Sequence, residues 1–324
     1  MMVGAISHRE ASLDRPREAS KTAAAPGAAA RIGGLWLALP ANFRGILLLA
    51  GGAFLLTSSD VVVKALGAKF APHELSFYRY MTGMVVLTPL FVRLGWNGLK
   101  TARIGVHGLR MGLAFVAQLG VFYTIIHLPL ADATAFMFSK PLFTTLVAVV
   151  VLSELVRARR WIATAVGFLG VLVMMRPGAD GIDPVALIAV GTALLFAIAN
   201  VLIRILAATE PTARMLFYYH IGGVAVFAGP TLWAGHAPVG IEWLLLLAIG
   251  VLTTGGMFCY FRAFSIGEAN AVGPAENLRL IYAAALGFLL FAEIPSPWTV
   301  LGAAIIVAST YYIARAEARG ERGG

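Results

Sequence analysis

Ten segments of the chain are apolar for long enough to cross a lipid bilayer as helices, and this feature limits the fold most. A transmembrane helix needs about 20 consecutive, mostly apolar residues. The segments that meet this requirement lie at roughly 44–66, 72–94, 106–127, 130–152, 159–176, 184–206, 212–233, 241–264, 270–292 and 297–315. The loops between them are too short for a separate soluble domain. We therefore predict an all-α membrane protein with ten transmembrane helices.

The composition agrees with a bilayer environment. Hydrophobic residues make up 59% of the chain and charged residues 13%, whereas a soluble domain carries about 25% charged residues. The formal net charge is +9, but the basic residues lie in short loops and not along one polar face. This placement is typical of a membrane protein and does not indicate binding to nucleic acid.

The loop charges predict the orientation. Basic residues are concentrated in alternate loops and in the C-terminal tail, at Arg93, Lys100, Arg103, Arg157, Arg159, Arg160, Arg204, Arg214, Arg315, Arg319 and Arg322. The opposite loops contain mainly Lys64, Lys69 and Arg176. Because positive loops stay on the cytoplasmic side, we predict a multi-pass inner-membrane protein with both termini in the cytoplasm.

We predict a cytoplasmic tail at each end of the chain. Residues 1–43 are rich in Ala, Gly, Pro and charge and lack the apolar core of a signal peptide. We expect them to form a disordered cytoplasmic N-terminal tail. Residues 316–324 are the expected cytoplasmic C-terminal tail.

The sequence repeats itself in a register near 140 residues. The matched stretches are 60–64 over 200–204, Phe77-Tyr78 over Phe217-Tyr218, Lys140 over Arg279, and Glu154 over Glu293. Five helices per repeat is an odd number, so the two halves must enter the membrane in opposite senses, and their loop charges are opposite too. The prediction is two inverted five-helix repeats, 44–176 with helices 1–5 and 177–315 with helices 6–10.

The stretch from about 44 to 315 resembles the drug/metabolite transporter superfamily, in its two-domain EamA type. The resemblance is carried by Pro141-Leu142-Phe143-Thr144, Leu152-Ser153-Glu154, Ala292-Glu293, Gly302 and the Arg79-Tyr80 pair. It implies a secondary transporter that works by alternating access, with export as the expected direction, no cofactor, and a monomer or homodimer.

Two cations lie near the middle of matching segments. Lys140 lies about 15 Å into the fourth segment, and Arg279 lies at a similar depth in the ninth. A charge at this depth is a functional hypothesis by default, although each cation could also be satisfied by a buried ion pair or by carbonyl groups. With Glu276 offsetting one of them, we expect a net positive site for an anionic or zwitterionic, amino-acid-like metabolite. Organophosphate transporters of the same superfamily are similar in carrying basic residues in these two helices.

Two acids are candidates for proton coupling. Glu276 precedes Arg279 by three residues and Asp60 precedes Lys64 by four, spacings that place each acid beside a cation on one helix face. Each acid is therefore either a neutralising partner for that cation or a titrating carboxylate that couples protons to transport.

Further candidates come from the neighbouring spans and from the prolines. Arg79, Tyr78, Tyr218, His220 and Asn277 are predicted substrate-binding residues, and the alternative for Arg79 and His220 is a scaffold role through interhelical contacts. Pro141 and Pro274 interrupt the fourth and ninth segments, and interrupted helices at corresponding places of two repeats indicate a transporter site.

Other classes of membrane protein find less support in the sequence. The chain contains no His-Glu-x-x-His motif and no phosphate-binding loop, so neither a catalytic site nor a metal site is predicted. A channel would be expected to carry a carbonyl filter or a short re-entrant loop, and a non-transporting scaffold or sensor is the remaining alternative. We therefore predict a transporter of a small molecule, and not an enzyme, with the bilayer as its other partner and proton coupling as the alternative role of its acids.

The inverted repeat gives a testable topology. After removal of the single cysteine, Cys259, new cysteines near Arg159 should be labelled from the cytoplasmic side and cysteines near Ser296 from the opposite side, because the loop charges differ. Labelling of both positions from the same side would contradict the inverted repeat.

Overall fold

The computed structural model describes residues 36–152, 158–176 and 183–320, which are helical and contain no β-strand. The helices are α1 (Ala41–Leu66), α2 (Pro72–Leu99), α3 (Ile104–His127), α4 (Leu130–Met137), α5 (Lys140–Leu152), α6 (Ala158–Met175), α7 (Pro184–Ala207), α8 (Thr212–Ala234), α9 (Ile241–Ile266), α10 (Ala269–Val272), α11 (Leu278–Phe291) and α12 (Pro297–Gly320). A 3-10 turn, Gly273–Asn277, connects α10 to α11. Glu154 and most of the predicted N-terminal tail lie outside the described residues. Because α1 begins at Ala41 and α12 runs to Gly320, the helical region extends slightly beyond the predicted 44–315 at both ends.

Seven helical stretches within the described residues are long and apolar enough to cross a membrane. They are Ala41–Leu66, Pro72–Leu99, Ile104–His127, Leu130–Leu152, Pro184–Ala207, Thr212–Ala234 and Glu242–Ile266. The other three predicted segments form shorter helices, because α11 has 14 residues after the 3-10 turn and the apolar parts of α6 and α12 are Arg160–Met175 and Pro297–Ile313. The protein is thus an all-α, multi-pass membrane protein, and helix length alone supports seven of the ten predicted spans.

Large apolar side chains face outward along many of the helices. Val85 on α2, Leu172 on α6, Phe258 on α9 and Leu289 on α11 are all exposed. In water such continuous apolar surface would be unfavourable, whereas lipid tails solvate it. The outer faces therefore suit a hydrocarbon environment, and the polar groups discussed below lie inside the bundle.

The two halves of the chain interlock. Helix α1 packs against α9 and α11, and α7 packs against α3 and α5. Helix α2 packs against α8, and α6 packs against α12. Most of the large helix contacts thus join one half of the chain to the other, so neither half forms its interior alone.

Two of these contacts require glycine. A Cβ atom on Gly52 of α1 would lie 2.9 Å from the Gly256 carbonyl oxygen of α9, and one on Gly256 would lie 3.0 Å from the Gly52 carbonyl. The same relation holds for Gly170 and Gly302, at 2.7 and 2.5 Å. Small residues let helix backbones approach closely where no hydrophobic effect drives association, and they fix α1–α9 and α6–α12 here.

Helices α2 and α8 run antiparallel and are tied at both ends. Glu74, at the start of α2, accepts hydrogen bonds from the backbone N–H and ring of His236, just beyond α8. At the other end Arg214, near the start of α8, donates to the Gly98 carbonyl of α2 at 2.7 Å and pairs with Glu210 at 3.0 Å. Each helix start is thereby attached to the end of its partner.

The chain is interrupted at the two predicted prolines. Helix α4 ends at Met137, and α5 begins at Lys140 with Pro141 as its second residue, a position where the missing N–H leaves no helical bond unmade. Pro274 lies in the 3-10 turn between α10 and α11. Such breaks free backbone polar groups, which a membrane protein tolerates only where protein or a water-filled cavity surrounds them.

A buried ion pair forms hydrogen bonds with the backbone at several helix ends. The Lys64 ammonium lies 2.7 Å from Glu293 and also donates to the carbonyls of Ile125 and Leu128 at the end of α3. The second carboxylate oxygen of Glu293 accepts the N–H of Leu130, the first residue of α4, at 2.8 Å. One pair thus links α1, the end of α3, the start of α4 and the chain just after α11.

This arrangement corrects one expectation. The predicted pairing of Asp60 with Lys64 along α1 is wrong, because the Lys64 side chain reaches the C-terminal carbonyls of α3, where the helix dipole attracts a cation, and takes Glu293 as its acid. Asp60 finds a different partner, described below.

Replacing Lys64 should destabilise the fold strongly. In Lys64→Met, Glu293 would remain buried without a counterion, and the apparent free energy of unfolding in mixed micelles should fall by roughly 3 kcal/mol. The matched control is Lys69→Met, whose ammonium is 41% exposed and pairs with Glu242 at 2.7 Å near the surface; its effect should be small. Equal effects of the two substitutions would contradict this role of Lys64.

Candidate functional site

The two helix breaks bring four charged side chains together inside the bundle. Lys140 is the first residue of α5, Arg279 is the second residue of α11, and Glu276 lies in the 3-10 turn. The fourth, Asp60, lies on the buried face of α1. We call these four residues the charged cluster.

The strongest contact of the charged cluster joins α1 to α11. The Arg279 guanidinium donates to the Asp60 carboxylate at 2.8 Å, with 29% and 11% of the two side chains exposed. The sequence instead suggested Glu276 as the neutralising partner of Arg279. That expectation is wrong for the direct contact, because the packing of α1 against α11 places Asp60 at the guanidinium.

Glu276 has a different direct partner. The Tyr260 hydroxyl of α9 donates to its carboxylate at 2.9 Å. Lys140 lies within electrostatic range of both Glu276 and Arg279. The two predicted mid-depth cations therefore do lie near each other, with an acid associated with each.

The charges of this cluster cancel. Lys140 and Arg279 carry two positive charges, and Asp60 and Glu276 carry two negative ones. The sequence predicted a net positive site because only Glu276 was counted against the two cations. Asp60, which is 80 residues from Lys140, the nearest of the other three in sequence, and was assigned to Lys64, supplies the second acid once the helices pack.

A second polar group lies where α2, α3 and α8 meet. The Tyr80 hydroxyl donates to the Tyr219 hydroxyl at 2.9 Å, and Tyr80 is fully buried. The Arg79 guanidinium carbon lies 5.0 Å from the Tyr80 ring centroid, and the Arg110 guanidinium carbon lies 5.3 Å from the Tyr219 ring centroid. We call these four residues the arginine–tyrosine cluster.

The two clusters are neighbours. Arg79 is close enough to Asp60 for its charge to act on that carboxylate. Asp60 therefore lies between Arg279, with which it forms an ion pair, and Arg79, which it senses at longer range. A single small molecule placed at Asp60 would meet both clusters.

The other predicted residues lie in varied surroundings. His220 lies edge-on to Tyr80, 6.0 Å between ring centroids, and its Nδ1 bonds the Leu216 carbonyl within its own helix. Tyr78 packs in the apolar core, edge-on to Trp243. Tyr218 lies over the ring of His107 at 4.9 Å, and Asn277 ends the 3-10 turn beside Glu276. Of these four, His220 and Asn277 border the two clusters most directly.

Three residues in or next to these clusters are absent from the sequence prediction. Tyr219 and Tyr260 are tyrosines within apolar runs, and their hydroxyl partners are far away in sequence. Arg110 carried a usable signal, because it is an arginine inside the third apolar segment and is only 6% exposed in the fold. The rule that selected Lys140 and Arg279 would have selected it too.

Comparison with known families matches nearly all of the helical region. The EamA-like transporter family matches residues 43–176 and again residues 184–315. The resemblance found in the sequence is thereby confirmed, and the family comprises transporters and not enzymes.

Individual relatives are also transporters by name. The chain is 34% identical over 265 residues to an S-adenosylmethionine uptake transporter of Rickettsia prowazekii, covering 81% of this chain and 90% of the relative. It is 28% identical to a riboflavin transporter of Vibrio cholerae, covering 85% and 94%. It is 29% identical to the pseudopaline exporter CntI of Pseudomonas aeruginosa, covering 84% and 96%.

A solved crystal structure shares the fold. It superposes with a TM-score of 0.59 at 20% identity, over 85% of this chain and 97% of the other. At this identity the likeness concerns the fold alone. The doubled family match and the full-length relatives lead to one conclusion: the chain belongs to the EamA-like transporter family.

Proposed function

We propose that this protein is a secondary transporter that carries a small zwitterionic metabolite across the inner membrane by alternating access. The observation that carries the proposal is the charged cluster at the two helix breaks. Charges inside a membrane protein are expensive and mark substrate or ion pathways. The charged cluster offers both signs in one place, as a zwitterion requires.

The proposed architecture is ten spans in two inverted repeats, 44–176 and 177–315, with short tails and both termini in the cytoplasm. The helix packing supports it: a shift of about 140 residues turns the α1–α9 contact into α7–α3 and the α1–α11 contact into α7–α5. The antiparallel pair α2–α8 and the pair α6–α12 map onto themselves. Interrupted helices at equivalent places are the usual site of substrate binding in such folds.

The proposed substrate carries an ammonium and a carboxylate. The acids Asp60 and Glu276 attract the ammonium, and the cations Lys140 and Arg279 border the same site. A head group that carries both charges finds a partner of opposite sign for each, which limits the cost of burying charge in a low-dielectric interior. An amino-acid-like head group supplies both charges within a few ångströms.

S-adenosylmethionine is the first candidate. Its α-amino acid head group carries an ammonium and a carboxylate, in addition to the sulfonium that makes the whole molecule cationic, and relatives that are 33–34% identical to this chain are named for its uptake. Riboflavin, named for other relatives, lacks both the ammonium and the carboxylate. The charge pattern therefore favours S-adenosylmethionine or another amino-acid-like molecule over a flavin.

The direction of transport is a separate question. The family resemblance favours export, whereas the relatives named for S-adenosylmethionine are uptake transporters and a further relative is an exporter. Right-side-out and inverted membrane vesicles, assayed in parallel, separate the two directions.

Transport should be saturable and selective. Proteoliposomes preloaded with unlabelled S-adenosylmethionine should accumulate the radiolabelled compound by counterflow, because alternating access exchanges one bound molecule for another. Excess riboflavin should not compete. Flux that rises linearly with concentration would indicate a channel, uptake of riboflavin alone would contradict the zwitterion proposal, and no flux of any tested metabolite would favour a scaffold.

Proton coupling should depend on one of the two acids. Glu276→Gln should bind S-adenosylmethionine more weakly, because one of the two acids near the ammonium is neutralised, and should also lose the response of transport to an imposed pH gradient, because an amide cannot carry the proton. Asp60→Asn tests the second candidate in the same assay.

The matched control is Glu242→Gln, whose carboxylate pairs with Lys69 near the surface and should keep the gradient response. An unchanged gradient response in both Glu276→Gln and Asp60→Asn would rule out proton coupling through these carboxylates.

A further inference from the structure

Two arginines inside the bundle, the buried Arg110 and the half-buried Arg79, converge on one pair of tyrosines. Arg79 of α2 and Arg110 of α3 each lie over one ring of the hydrogen-bonded pair Tyr80–Tyr219. Both also act electrostatically on His220, whose ring lies edge-on to both tyrosine rings. Helices α2, α3 and α8 thus hold two positive charges around the hydrogen-bonded pair Tyr80–Tyr219.

Neither arginine has an acid partner. No ion pair among the described residues includes Arg79 or Arg110. Arg110 makes one long hydrogen bond, 3.4 Å to the Met215 carbonyl, and its Nε is buried without a partner. One Arg79 guanidinium nitrogen, Nη1, is likewise buried and unpaired. Asp60, the acid on which the charge of Arg79 acts, is already paired with Arg279.

Such an arrangement is unfavourable without an anion. Each cation inside the bundle loses hydration that only a counterion replaces fully. The two tyrosine rings compensate for part of this loss through cation–π contact. The remaining deficit, together with the repulsion between two like charges, is relieved when an anionic group binds between them.

We propose that Arg79, Arg110 and the Tyr80–Tyr219 hydroxyl pair form the subsite that binds the substrate carboxylate. Guanidinium groups match a carboxylate with paired N–H donors. The Tyr219 hydroxyl accepts a hydrogen bond from the Tyr80 hydroxyl and can donate its own O–H to the same anion. This inference rests on the proposed transport of a zwitterion and specifies which side chains hold each of its charges.

The arrangement assigns different roles to the two sets of cations. Lys140 and Arg279 are balanced by the two acids of the charged cluster. Arg79 and Arg110 have no acidic counterion among the described residues. Asp60, on which the charge of Arg79 acts, can bind the ammonium. The carboxylate and ammonium of one amino-acid head group would then bridge the two clusters.

The first test needs no substrate. His220→Glu places a carboxylate beside both arginines, and His220→Gln is its uncharged match of the same length. In detergent without ligand, the Glu variant should melt at a higher temperature than the Gln variant, and the difference should shrink when Arg110→Gln is added to both. If the Glu variant melts at the same or a lower temperature, the arginines are not short of a counterion and the subsite is wrong.

The second test changes the ligand by one group. Wild-type protein should bind S-adenosylmethionine at least about tenfold more tightly than its decarboxylated analogue, because a charge-assisted hydrogen bond is lost. Arg110→Gln should bind both equally, Arg110→Lys should keep part of the preference, and Lys140→Gln should change the affinity for both ligands by the same factor and so keep the preference. If Lys140→Gln lost the preference for S-adenosylmethionine and Arg110→Gln kept it, the assignment would be overturned. If the wild type binds neither ligand, S-adenosylmethionine is the wrong substrate, and the melting test still decides the subsite.

Discussion

The interior of this protein is governed by the inability of hydrocarbon to solvate charge. Each cation or acid that lies inside the bundle must find its partner in another side chain, in a free helix end or in a bound molecule. Lys64 and Glu293 meet this requirement with each other and with the exposed backbone groups of α3 and α4. The ion pair thereby holds the end of α3 and the start of α4 together.

The same requirement distinguishes structural charges from functional ones. The Lys64–Glu293 pair is structural, because both side chains also form hydrogen bonds with backbone groups. The Asp60–Arg279 pair has a more exposed guanidinium and a buried Nε without a partner. In the proposed transport cycle, a pair of this second kind would exchange partners with a bound zwitterionic head group. Alternating access needs such exchangeable contacts at the moving elements and structural ones elsewhere.

Packing decides which elements are free to move. Glycine contacts hold α1 against α9 and α6 against α12 at close backbone distance. The segments around Ser139 and Pro274, by contrast, lack continuous helical hydrogen bonding. The charged cluster is attached to these interrupted segments on one side and to the rigid α1 on the other. Substrate charge at Asp60 would therefore act directly on the part of the backbone best able to rearrange.

The sequence by itself determined the helical class, the membrane setting, the family and the two helix breaks. These follow from apolar length, short loops and proline chemistry, which act within a few residues of each position. The seven long spans among the described residues fall where the apolar runs predicted them, and Lys140 and Arg279 were correctly placed near each other by the repeat.

Only the tertiary structure decided the charge partners. Spacing along one helix paired Asp60 with Lys64 and Glu276 with Arg279, but the interlocked packing gives Lys64 to Glu293, Arg279 to Asp60 and Glu276 to Tyr260. It also brings Arg110 to Tyr219. Neighbours along a helix compete with groups from other helices, and in a low-dielectric interior the partner with the better geometry and fuller burial wins. That competition depends on which helix faces meet, and no local pattern in the sequence specifies it.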